Sequence, residues 1–195
     1  MSKIMRIAIS GTIGSGKSTV SAYLRSKGYV VFDCDKTNGK LLEPGQKGYN
    51  ALVEVFSDRI LNREGIIDRK KLASIVFSDN CALNTLNSIM HPLIKEEMLK
   101  EMVRDDIFIA EVPLLFETDF YQLFDYKLLI VADYEIALER LLKRGLSKDD
   151  AISRIRHQMS AEDKISMSDY IIENNHGLDE LYRRIDDWMV IMNDR

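Results

Sequence analysis

The sequence predicts an α/β fold, a parallel sheet flanked by helices, on three observations. Short apolar runs of strand length alternate with segments of helical period. The opening run is almost continuously apolar, as a strand buried on both faces must be. A glycine-rich loop joins that run to the helical segment after it. Residues 4–9 predict the first strand, which ends in Ser10-Gly11. Helical character over 17–27 stops at Gly28, a residue suited to the left-handed turn that closes a helix. Residues 29–32 predict a second strand, followed by Asp33, Cys34 and Asp35. The chain therefore opens as a βαβ unit.

From residue 36 to about 104 the texture changes. Leu52, Val53, Val55 and Phe56, then Leu72, Ile75 and Val76, then Leu83, Leu86, Ile89, Leu93, Ile94 and Met98 recur at helical spacing. Pro44-Gly45 and residues 62–65 punctuate them, and Asp68 is placed to cap the helix containing Leu72. This predicts a mostly helical insertion between sheet elements. Strand character returns at 107–112, followed by Pro113-Leu114-Leu115-Phe116-Glu117, and again at 127–131. A helix over 134–144 should end at Gly145, with a second starting at Ser147 and running through Arg154 and Gln158. Residues 170–172 predict a last short strand, and 178–192 an amphipathic helix.

Composition narrows the function classes. With 195 residues, 46% hydrophobic and 30% charged, one compact domain is expected. A net charge of −4 gives no electrostatic footprint of a nucleic-acid binder. Cys34 and Cys81 have no paired spacing, so neither a disulfide framework nor a zinc site is expected, and a reducing, cytoplasmic compartment fits. No membrane span or signal-peptide pattern is read, and no internal repeat.

Gly11-Thr12-Ile13-Gly14-Ser15-Gly16-Lys17-Ser18 matches G-x-x-x-x-G-K-[ST] in full, with Thr19 following, and it lies between a predicted strand and a predicted helix as that motif requires. Glycines let the backbone curl so that successive N–H groups face one centre, and the helix that follows adds its positive end. Lys17 would reach the β- and γ-phosphates of ATP, and the Ser18 hydroxyl would ligate Mg²⁺. The expected fold is thus that of a P-loop NTPase. No Asn-Lys-x-Asp guanine motif is present, which argues against a GTPase. Glu111-Val112-Pro113 lacks the adjacent acids common in motor ATPases, and a kinase of small metabolites fits better.

Asp33 and Asp35 follow the second strand, at the sheet edge where ligands gather. One could take a proton from an attacking hydroxyl and the other orient it; equally, both could be solvated acids capping the next helix.

With these residues in view the chain resembles the dephospho-CoA kinases, nearly end to end. The shared stretches appear in order: GTIGSGKST, VFDCD, LLEPG, IIDRKKLASIVFSD, IMHPLI, VPLLFE, the arginine-rich segment from Arg140 to Gln158, and DYIIENN. The resemblance implies transfer of the γ-phosphoryl group of ATP to the ribose 3′-hydroxyl of dephospho-CoA, giving CoA and ADP. It further implies a core of residues 1–35, 105–139 and 163–195, a helical CoA-binding insertion over 36–104 and a helical lid over 140–162. Asp35 matches the second aspartate of the family's D-x-D and is the candidate base, with Asp33 in support.

Other positions keep two readings each. His91 contacts the acceptor, or is a buried histidine on a helix that Pro92 terminates. Leu114, Leu115 and Phe116 shape the acceptor pocket or simply fill core. Glu117 serves the acceptor or a local structural contact, because an acid after an apolar run needs a partner or water. Arg140 and Arg144, four residues apart on one helix face, would stabilise charge on the transferring phosphoryl group, with Arg154 and Arg156 behind them; exposed salt-bridged helices are the alternative. Asn174 would lie near adenine or merely form a turn with Asn175. Thr12, Gly39 and Glu173 depart from the family's usual residues. The expected partners are a small-molecule substrate and neither nucleic acid nor membrane, in a monomer or weak homo-oligomer. Two rivals remain: another metabolite or nucleoside monophosphate kinase, and a nucleotide-dependent switch without acceptor chemistry.

Overall fold

The computed structural model describes residues 4–103 and 106–194. A five-stranded parallel sheet flanked by helices carries the chain, in the order β2-β3-β1-β4-β5. Its strands are β1 (Met5–Gly11), β2 (Val31–Asp33), β3 (Ile107–Glu111), β4 (Tyr126–Val131) and β5 (Tyr170–Glu173). β1 is central and pairs with β3 on one side, Ile9 opposite Glu111, and with β4 on the other, Gly11 opposite Ile130. Ile7, Ala8 and Ile9 have no exposed surface, which explains why β1 reads as continuously apolar.

Two compact units divide the chain: Met1–Phe32 with Asp105–Arg195, and Asp33–Arg104. The change from expected insertion to expected core at 104 and 105 lies outside the described residues. The first unit also holds α1 (Lys17–Ser26), α6 (Tyr134–Lys143), α7 (Lys148–His157), α8 (Ala161–Ser166) and α9 (Leu178–Asn193). One face of α9 buries Leu181, Ile185, Trp188, Met189 and Met192 against Ile7, Ile9, Leu128 and Ile130. A smaller apolar cluster holds α6 to α7 through Leu138, Leu141 and Ala151.

The second unit is helical: α2 (Cys34–Leu41), α3 (Lys47–Phe56), α4 (Arg69–Ser78) and α5 (Asn80–Glu101). Asp68 caps α4 as expected, its carboxylate accepting from Lys70 N at 2.9 Å and Lys71 N at 3.2 Å. Gly48 allows close packing there, since a Cβ on it would meet the Leu41 carbonyl oxygen at 2.7 Å.

Several expectations need correction. The second strand is shifted to Val31–Asp33, leaving Val30 61% exposed ahead of it. The helix follows at once, and Asp33 caps it as one of its two readings has it: it is the N-cap of α2, accepting from Lys36 N at 2.9 Å, and Asp35 stands in the first turn. Pro92 does not terminate its helix but lies inside α5. Met90, Ile94 and Met98 are buried on either side of it, and this continuous packing face offsets the hydrogen bond that proline cannot make. The short helix α8 was not foreseen, because six residues carry too little periodicity to read.

Candidate active site

The loop from Gly11 to Ser18 leaves the C-terminal end of β1 and enters α1. Gly14 and Gly16 have φ of 78° and 91°, in the left-handed region that favours glycine. At Gly14 a side chain is excluded twice over, since a Cβ would also meet the Ala137 carbonyl oxygen of α6 at 2.7 Å. Gly16 is the N-cap of α1 and supplies no side-chain cap, so the helix opens with its positive end unshielded.

Backbone and side chains around the loop fix its curl. Thr12 N donates to Ile130 O of β4 at 3.2 Å, and Ser15 N to Thr12 O at 3.1 Å. Asn174, buried just past β5, donates its Nδ2 to Ser15 O at 2.7 Å while its own N–H is given to Val131 O. Arg140, from α6, donates Nη1 to the carbonyl oxygens of Gly14 and Ser15, both at 3.3 Å, and Nη2 to Asn174 O at 2.9 Å. With the Ser15 carbonyl oxygen held by these donors, the planar Ser15–Gly16 peptide turns its N–H to the opposite side of the curl. The Ile13 N–H is itself taken by Gln158 Oε1 at 2.9 Å. Two buried hydroxyls of the loop, Thr12 Oγ1 and Ser15 Oγ, have no hydrogen-bond partner among the described residues.

Lys17 donates to Glu111 Oε1 at 2.6 Å, with both side chains largely covered. Glu111 ends β3 and is 7% exposed. An acid buried in an apolar strand needs a cation, and the loop lysine is the one supplied. Glu111 was not singled out as a site residue. Its legible signal was the lone carboxylate at the end of Ile107–Glu111, since the apolar run gives it nowhere else to be satisfied.

The predicted site residues thus fall into groups. Gly11 to Ser18, Asn174 and Arg140 are brought together around one loop, and Thr19 lies in the first turn of α1. Arg144, by contrast, is exposed at the end of α6, and Arg154 and Arg156 are exposed on α7. Asn175 braces the next turn, exchanging hydrogen bonds at 2.8 Å with the Asp133 backbone N–H and carboxylate. Leu115 and Phe116 are buried, whereas Leu114 is 48% exposed. Glu117 Oε1 lies 2.8 Å from Lys164 Nζ, although the approach is poorly angled for a hydrogen bond. Lys164, on α8, has no exposed surface, and nothing in the polar stretch around it announces this in the sequence.

In the second unit Asp33 is half-buried and Asp35, the second residue of α2, is exposed. His91 is half-buried on α5, and burial pushes its imidazole pKa down, favouring the neutral ring. No group of three or more His, Cys, Asp or Glu that could cage a metal ion occurs among the described residues. No described helix is long and apolar enough to cross a membrane.

Comparison with known proteins bears on this arrangement. The dephospho-CoA kinase family profile matches residues 5–180. A dephospho-CoA kinase of Aquifex aeolicus is 39% identical over 183 residues, covering 92% of this chain and 93% of that protein. Among solved structures, TT1252 from Thermus thermophilus superposes with a TM-score of 0.86 at 33% identity, covering 96% of this chain and 97% of that one. The dephospho-CoA kinase from Campylobacter jejuni gives a TM-score of 0.72 at 28% identity, covering 96% of each chain. Both the match along nearly the whole sequence and the shared fold lead to one statement: this chain belongs to the dephospho-CoA kinase family.

Proposed function

We propose that this protein transfers the γ-phosphoryl group of ATP to the ribose 3′-hydroxyl of dephospho-CoA, releasing CoA and ADP, the last step of coenzyme A biosynthesis. The observation that carries this is the family match over residues 5–180, which includes the whole phosphate loop. The acceptor hydroxyl gives its proton to Asp35 as its oxygen attacks the γ-phosphorus, and the β–γ bridging oxygen leaves with ADP. Asp33 positions that carboxylate as well as capping α2. Lys17 exchanges Glu111 for the β- and γ-phosphates. Arg140 acts through the loop carbonyls it holds, and Arg144 is the candidate for direct contact with the transferring group. His91, Leu114, Leu115, Phe116 and Glu117 are assigned to the acceptor side.

The loop suits a Mg²⁺-bound triphosphate: two of its buried hydroxyls lack partners among the described residues, and Ser18 is exposed in the first turn of a helix with no side-chain cap. Ser18 would hold the ion together with phosphate oxygens and water, and the ion would neutralise charge on those oxygens. We assign residues 36–104 to dephospho-CoA binding and 140–162 to a lid over the core. A cytoplasmic monomer, or a weak homo-oligomer, is the proposed working form.

Mass analysis of dephospho-CoA incubated with ATP, Mg²⁺ and the pure protein tests the assignment. One added phosphoryl group on the 3′-oxygen is expected; an unmodified acceptor with ATP bound sinks it. In the same assay Asp35→Asn should lower kcat about 10²- to 10⁴-fold while ATP affinity is unchanged. Near-normal turnover in that variant removes Asp35 as the base.

A further inference from the structure

We propose that Gln158 is a positioning residue of the phosphate loop, fixing the Ile13 N–H with its side-chain amide and thereby coupling helix α7 to nucleotide binding. The inference rests on the kinase reading only for its steady-state arm. Its other arms concern nucleotide affinity and the loop itself.

Four polar groups of the loop's backbone are held by partners from β4, α6 and the residues that follow β5 and α7. Carbonyl oxygens of Gly14 and Ser15 are held by Arg140, the latter also by Asn174. The Thr12 N–H is held by β4 through Ile130 O. The fourth is the Ile13 N–H, in the middle of the glycine-rich stretch, and its acceptor comes from a residue 145 positions away, Gln158 Oε1 at 2.9 Å. Gln158 directly follows α7 as its C-cap, in extended conformation with φ −83° and ψ 156°. The reach of the amide therefore depends on where α7 ends.

Ile13 is tied to the same hairpin a second time. Its side chain packs against the α6–α7 cluster of Leu138, Leu141 and Ala151, alongside Ile152 and Ile155. Backbone and side chain of a single loop residue are thus both held by this hairpin, which carries the exposed Arg154 and Arg156. A loop fixed in this way has less conformational freedom to lose when phosphate binds.

The chemistry of the side chain is also selective. An N–H beside a polyphosphate site needs an acceptor, yet a carboxylate there would repel the ligand, whereas a neutral amide satisfies the N–H without adding charge. In the sequence Gln158 marks only a helix end, and its side-chain role emerges once the fold brings 13 and 158 together.

The test uses Gln158→Met, which keeps side-chain length and deletes the acceptor, in the full-length protein. Calorimetric titration should show ATP bound about three- to tenfold more weakly, while the KM for dephospho-CoA at saturating ATP stays unchanged. By NMR hydrogen exchange the Ile13 amide should lose protection while the Thr12 amide, donated to Ile130, keeps it. Unchanged ATP affinity, an equal loss for both substrates, or an Ile13 amide already unprotected in the wild type each overturns the proposal. Should Gln158→Met not fold, Gln158→Glu retains an acceptor and adds a charge. It should keep Ile13 protected and weaken ATP in a salt-dependent way while leaving adenosine binding intact, and wild-type ATP affinity in it overturns the proposal. A wild-type protein that binds ATP but leaves dephospho-CoA unmodified refutes the kinase assignment, while the affinity and exchange results still decide the role of Gln158.

Discussion

Glu117 and Lys164 are an ion pair of unequal burial: the Lys164 side chain has no exposed surface and that of Glu117 is 23% exposed. Removing one partner is therefore not equivalent to removing the other. Glu117→Ala strands a buried ammonium and should cost about 3–5 kcal/mol, whereas Lys164→Met leaves a carboxylate that can reach water and should cost less. Combining Glu117→Ala with Lys164→Met should recover at least half of the single-variant loss, as read from urea unfolding; a strictly additive double variant would show that the two charges do not interact. At this scale the sequence was informative where chemistry restricts the choice. Gly14, Gly16 and Lys17 could be named because few other residue types can do what the loop needs. Lys164 and Gln158 were not, because a lysine or an amide has many ordinary uses and only its partner distinguishes one use from another.

At the scale of elements, periodicity and caps placed the long segments, and packing overruled local preference at Pro92. Proline is the strongest local stop signal, yet α5 continues through it from Asn80 to Glu101 because Met90, Ile94 and Met98 stay buried along one face. The residue-92 position lacks the N–H that would bond Ser88 O, and Pro92 itself is exposed. Pro92→Ala should therefore stabilise the protein by about 1–2 kcal/mol, the helix gain exceeding the entropy returned to the unfolded chain. A lower urea midpoint in that variant would mean that Pro92 sets a bend the packing requires. The start of α2 shows the opposite case. Asp33 has two readings, site acid or cap, and the structure shows it capping α2, which brings Asp35 into the helix's first turn.

For the molecule as a whole, an ordered loop that binds nucleotide only in the native state predicts stabilisation by mass action. ATP at about a hundred times its dissociation constant should add about 2.7 kcal/mol to unfolding and raise Tm accordingly, and adenosine at the same concentration should do much less. An equal rise with adenosine would place the binding energy in the base rather than the phosphate loop. The α/β class, the βαβ opening, the phosphate loop and the family were all legible in the sequence, because each rests on local pattern: burial period, glycine positions and short motifs. Tertiary structure alone decided which strands are neighbours and which side chains hold the loop from 94 to 159 residues away in the chain, as Glu111 and Asn174 do. The reason is physical: backbone conformation is governed by nearby residues, whereas a buried charge or amide takes whatever partner the folded chain brings within hydrogen-bond distance.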